Sequence, residues 1–171
     1  MKPRSQSGSA PIEFSLCAVF IIFLLISLVD MSRGLWINHT LAEAVRGGTR
    51  WAIVKGSRYS NLDTGERLPG ATLADVRAFV LRSAPGLVPS QLNLRFESAQ
   101  GVINCSPSTE CPGGTLGTNW PPDGYADPGR EIGIFATYPY NSLAVMYFPG
   151  GGGLRFGQYV LQSVSRERIV F

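Results

Sequence analysis

Charge is scarce in this sequence. Of its 171 residues, 16% are Asp, Glu, Lys or Arg, against roughly 25% in typical soluble domains. There is a single histidine, and the three cysteines stand at positions 17, 105 and 111. No segment repeats. The net charge of +3 comes without a basic cluster or interleaved basic and aromatic residues, which argues against nucleic acid as a partner. With His39 as the only histidine, a four-ligand zinc site has too few donors. His39 also has no nucleophile motif beside it, so it reads as a packing or surface residue. Nothing in the pattern predicts an enzyme, and no cofactor or metal is expected.

Much of the missing charge is missing from one place. Residues 14–29 read FSLCAVFIIFLLISLV, without an ionisable acid or base. Sixteen helical residues span about 24 Å, slightly short of a hydrocarbon core of about 30 Å. With Pro11 and Ile12 added, and Asp30 and Arg33 at headgroup depth, the segment becomes a short span over about 12–29. Lys2 and Arg4 precede it with no acid. Positive charge before a first span holds that end in the cytoplasm, so the chain after Asp30 is expected outside. Cys17, inside the span, reads as a small hydrophobe rather than a lipidation site.

Three roles are open to such a segment. A basic start, an apolar centre and small residues at Ser32 and Gly34 fit a cleaved signal peptide, with Leu35 as the new N-terminus. A plain anchor is the second. The third gives a role to Glu13, because a carboxylate at the start of a span is costly unless it finds a partner.

Past the span, Ile37, Leu41, Ala44, Val45, Gly48 and Ala52 recur at three- and four-residue spacing, with Asn38, Glu43, Arg46 and Arg50 opposite. The periodicity predicts one helix from 11 to 54 whose second half is amphipathic and needs a cover. Residues 55–70 form a polar loop. Thr72 and Asp75 read as a capping box opening a helix to about residue 84, where Pro85-Gly86 ends it. Alternation predicts strands at 92–96, 132–138 and 158–165. The expected architecture is α+β: a helical spine packed by a second helix and a small antiparallel sheet of three strands. Cys105 and Cys111 sit six apart in a Pro/Ser/Gly-rich stretch and predict a disulfide in an oxidising compartment. Asp123, Asp127 and Glu131 match no calcium-loop spacing and read as a turn. The glycines at 150–153 lack the Lys and Ser/Thr of a phosphate loop and read as a hairpin connection.

The segment GSAPIEF at 8–14 carries more than a span. Gly8 follows a short basic leader, Glu13 is the fifth residue after it, and Phe14 follows Glu13. This resembles the processing site of type IV pilins, particularly the Tad/Flp branch. The continuation, with Asp30-x-x-Arg33 just past the span and an Ala/Arg/Gly-rich run at 41–52, resembles the TadE-like minor pseudopilins. So does the ending, with Tyr138-Pro139-Tyr140, a Gly-rich turn, and Ser163-x-x-Arg166-Glu167. Thr49 departs from the pattern, where a small apolar residue is commoner, and the Cys-bearing loop has no place in it.

The resemblance implies a type IV pilin-like fold and a role in assembling a Tad/Flp-type pilus used in adhesion. It implies a leader at 1–8, cleavage between Gly8 and Ser9 by a prepilin peptidase, a long helix at 9–54 and an extracytoplasmic domain at 55–171. Implied partners are other pilins or pseudopilins and the inner-membrane assembly platform. Glu13 and Phe14 become assembly residues, and Asp30 with Arg33 a pair at the membrane edge. The rival expectation is an anchored extracytoplasmic module that binds a ligand and has no pilus role.

Overall fold

The computed structural model describes residues 10–56, 70–106, 111, 117–122, 127–142 and 158–170. Its dominant element is α1 (Ala10–Val54), one uninterrupted helix of 45 residues. The 18-residue apolar window within it is not buried by any part of the protein. Among the described residues this is the one helix long and apolar enough to cross a membrane, and its length and composition suggest a single-pass anchor. Ser15 and Ser27 donate their hydroxyls to carbonyls four residues back, which removes the cost of unpaired hydroxyls in an apolar layer.

The upper half of α1 changes character as the periodicity predicts. Ile37, Leu41, Ala44, Val45 and Ala52 are buried, while Asn38, Glu43, Arg46 and Arg50 face outward. Thr49, the odd residue in this face, is fully buried. It donates its hydroxyl to the Val45 carbonyl at 2.9 Å, and this internal bond lets a polar side chain sit in the core.

Two elements cover that face. The first is α2 (Leu73–Arg82), whose Leu73, Val76 and Val80 point inward. Its start is the expected capping box: the Thr72 hydroxyl accepts from Asp75 N–H, and the Asp75 carboxylate accepts from Thr72 N–H. α2 crosses α1 at Gly47-Gly48. A Cβ on Gly48 would lie 2.5 Å from Val80 Cγ2, so only glycine allows this approach. One turn on, Trp51 stacks on Phe79 with centroids 5.4 Å apart.

The second cover is an antiparallel sheet of four strands, β1 (Asn93–Ser98), β2 (Gly101–Cys105), β3 (Glu131–Asn141) and β4 (Gln158–Arg168), in the order β2-β1-β3-β4. Three strands were expected; β2 is the fourth. It is a five-residue edge strand in which only Cys105 is buried, so it lacks the apolar alternation that marks the others. β3 and β4 also run longer than their apolar cores, because Glu131, Arg166 and Arg168 continue the ladder on the outward face.

β3 runs antiparallel to α1 along the stretch from Gly34 to Gly48. Tyr140 meets Gly34, and Ile134 meets Gly48. Fourteen helical residues and six strand residues each cover about 20 Å. Between helix and sheet lies the core, closed at one end by Trp120, which packs edge-on against Phe96 with centroids 5.1 Å apart. Trp120 is carried by a short segment tied to the start of α2, through Leu73 N–H to the Thr118 carbonyl and Trp120 N–H to the Ala71 carbonyl. Cys105 and Cys111 form a disulfide, both residues buried.

Candidate functional site at the membrane edge

The expected site residues fall in three places. Gly8 and Ser9 lie outside the described residues, as do the 1–8 leader, most of the 55–70 loop, Asp123 and the glycines at 150–153. Glu13 is in the first turn of α1, where a negative charge suits the positive end of the helix dipole. Its side chain and that of Phe14 stand exposed, next to each other in the chain and at the start of the apolar surface. Asp127 lies 3.7 Å from Arg130, and Glu131 lies 3.4 Å from Arg168. Among the described residues, no three His, Cys, Asp or Glu side chains gather in one place. His39 and Cys17 are both exposed on α1.

Asp30 and Arg33 lie where the span ends, and the structure brings both to one side chain. The phenol of Tyr140, at the lower end of β3, donates to Asp30. Its oxygen is 2.7 Å from Oδ1 and 2.8 Å from the Asp30 carbonyl oxygen. The Ser142 hydroxyl donates to the other carboxylate oxygen, Oδ2. The Arg33 guanidinium stands over the Tyr140 ring, 5.5 Å from its centroid, a cation–π arrangement. Burial, then the hydrogen bond and charge of Asp30, push the Tyr140 phenol up to about 12, while Arg33 pulls the other way. This phenol therefore remains a donor at any physiological pH.

The physical logic is compact. A carboxylate just above an apolar layer is tolerable when its lone pairs are filled by oriented donors. The hydroxyls of Tyr140 in β3 and of Ser142 just past its end supply those donors, so the acid on the helix also fixes where the sheet docks. Tyr140 was expected only as part of an aromatic-Pro-aromatic ending; its bond to Asp30 has no signal in either local sequence. Ser142 was not expected at all.

Beside this cluster a groove of about 500 Å³ opens between α1 and the lower end of β4, with Phe23, Ile26, Leu35, Tyr140, Tyr159 and Leu161 among its walls.

An acid one turn below an arginine at the end of a long apolar helix, with another acid in its first turn, is a pattern that can be compared. Residues 8–50 match the model of the TadE-like protein family. The TadE-like match begins at Gly8, takes in Glu13, Asp30 and Arg33, and ends four residues before α1 does. It thus covers the helix and none of the sheet. No curated protein and no solved structure matches this chain. The residues that grip the TadE-like segment from outside, Tyr140 and Ser142, lie beyond the matched region.

Proposed function

We propose that this chain is a minor pseudopilin of a Tad/Flp-type pilus system, working in pilus assembly and through it in surface attachment. The TadE-like match over residues 8–50 carries this reading, because it starts at the glycine that a prepilin peptidase would leave behind.

In this reading residues 1–8 are a cytoplasmic leader, and the peptidase cuts between Gly8 and Ser9. Residues 9–54 form the helix, spanning the inner membrane over about 12–29, and 55–171 form the extracytoplasmic domain. Cleavage frees the Ser9 α-amine, whose ordinary pKa is about 7.7–8.0. A carboxylate in apolar surroundings is costly alone and far less so beside a cation. Glu13 of one subunit and the freed amine of a neighbour are such a pair, so docking relieves the cost that each carries separately. Other pilins or pseudopilins and the inner-membrane assembly platform are the partners, met first through the exposed apolar half of α1.

The test is intact mass and N-terminal sequencing of protein extracted from membranes of a host that has the native peptidase. Ser9 at the N-terminus is expected. Leu35 would mean a cleaved signal peptide, and Met1 a plain anchor or a tethered binding module. Glu13→Ala should weaken co-purification with partner pilins; unchanged co-purification and unchanged piliation would sink the assembly role.

A further inference from the structure

We propose that the open edge of β4 takes up an extended segment of a partner protein as a fifth strand, running down toward the membrane. The inference is independent of any pilus role and uses only the orientation that a bilayer imposes on α1.

Among the described residues, β4 pairs with β3 along one edge and with nothing along the other. Natural sheets blunt such edges with short strands, bulges, prolines or lysines. β2, at the opposite side of the sheet, is blunted: it has five residues, and its last, Cys105, is held in the disulfide. β4 carries none of these devices. It is 11 residues long, contains no proline, glycine or lysine, and keeps an unbroken register with β3 from Gln158 to Arg168. Residues 158–165 carry no charge, and Val160 and Val164 are 63% and 53% exposed.

One proline shows which backbone groups face that edge. Pro139 has no N–H to give, and its partner across the ladder is Val160. This suits a pair that exchanges no hydrogen bonds. Alternation by twos then turns the backbone groups of Val160, Gln162, Val164 and Arg166 outward. An added strand bonds to these groups and packs beside the Val160 and Val164 side chains.

The occupant is not a second copy. β3 runs antiparallel to α1 and β4 antiparallel to β3, so β4 climbs away from the membrane. A copy anchored beside it presents a β4 that climbs too, and parallel pairing in register would set Arg166 and Arg168 against their own kind. The copy's β2 descends, but joining it to β4 adds four strand-to-strand twists of about 20–25° each. That turn of about 90° would carry the copy's α1 out of the bilayer. A flexible segment has no such constraint. It pairs antiparallel, the commoner arrangement, with its N-terminal end at Arg168 and Arg166. Acidic residues suit that end, and β-branched residues suit the stretch opposite Val164 and Val160.

The experiment uses the full chain, one copy per nanodisc, and a synthetic peptide as long as β4. The peptide has Glu at its first and third positions, Val at its fifth and ninth, and Thr elsewhere. Antiparallel pairing sets those four positions opposite Arg168, Arg166, Val164 and Val160. Amide hydrogen exchange is the readout. With about 1 mM peptide, exchange at Val160, Gln162, Val164 and Arg166 should slow about tenfold. The alternate amides of β4, already bonded to β3, should not change. A twin peptide N-methylated at the amides that turn toward β4 should protect nothing. Val164→Pro removes one outward N–H and should cut the peptide's effect several-fold, with β3 exchange in the absence of peptide showing that the fold is kept. Gln162→Lys, which puts a lysine on the edge without touching a backbone N–H, should act in the same direction. No slowing at about 1 mM peptide, or equal slowing by the N-methylated twin, would overturn the proposal. So would slowing of these four amides in peptide-free discs that hold two copies, which would put a second copy on the edge.

Discussion

The Tyr140 phenol lies 2.7 Å from a carboxylate oxygen of Asp30, a residue 110 positions earlier, and so ties the last part of the sheet to the end of the membrane helix. Tyr140→Phe removes that donor and leaves the ring in place. Hydrogen bonds to charged groups contribute about 1.5–3 kcal/mol, and Ser142 still serves the carboxylate, so a loss of about 1.5 kcal/mol in unfolding free energy is expected. Denaturant unfolding of the detergent-solubilised chain measures it.

The same phenol gives a pH signature. Its ionisation is raised from 10 in the unfolded chain to about 12 in the fold, so the folded state holds the proton more tightly. The stability this contributes is complete below pH 10 and is lost as pH rises through 12. The wild-type protein should lose stability across that window more steeply than Tyr140→Phe. Parallel curves for the two would show that the phenol does not report the docking.

Two glycines on α1 should behave oppositely. Alanine in place of glycine favours a helix by about 1 kcal/mol. At Gly34 the new Cβ would make ordinary contact with the Tyr140 ring at 3.5 Å, so Gly34→Ala should be neutral or stabilising. At Gly48 it would meet Val80 Cγ2 at 2.5 Å. Overpacking costs about 1–3 kcal/mol, leaving Gly48→Ala destabilising by about 1 kcal/mol. Adding Val80→Ala should yield a double variant more stable than the two single effects summed, and a double-mutant cycle measures that coupling.

Helix α2 depends on its first turn. Thr72→Ala removes the side-chain cap and should cost about 1 kcal/mol. Hydrogen bonds from Thr72, side chain first and then backbone, hold the Asp75 carboxyl below its ordinary 3.8. A lowered carboxyl pKa gives stability that is present above pH 3.8 and lost as pH falls through the folded value. Acid titration followed by circular dichroism should show this acid-side contribution reduced in Thr72→Ala, which keeps only the backbone N–H donor.

Reducing the Cys105–Cys111 disulfide, with a sequence separation of 6, should cost about 2 kcal/mol in the chain-entropy model. Its position at the end of an edge strand confines the effect to β2 and the chain beside it. Hydrogen exchange should therefore accelerate at 101–105 before it does in β3.

The parts of this molecule governed by local rules are the parts its sequence discloses. Composition marks the span, a 3.6-residue period marks the buried face of α1, and Thr72 with Asp75 marks where α2 begins. Six-residue spacing was enough to pair the cysteines. β2 escaped because GVINC buries a single side chain and so carries no period. The Tyr140–Asp30 contact escaped for a different reason: it depends jointly on the register of β3 and on which way the helix is turned at residue 30. Neither quantity is written in the residues nearby. The family match ends at Arg50, before the first strand of the sheet that grips the helix.

A helix that passes unbroken from Ala10 to Val54, clasped by the sheet from Gly34 to Gly48, has no hinge at the water line. Membrane helices lean by about 20° on average. The 24 residues beyond Asp30 are about 36 Å of stiff rod, so such a lean displaces the far tip sideways by about 12 Å. Whatever sets the angle of the helix among its lipid or protein neighbours thereby aims the whole outer domain.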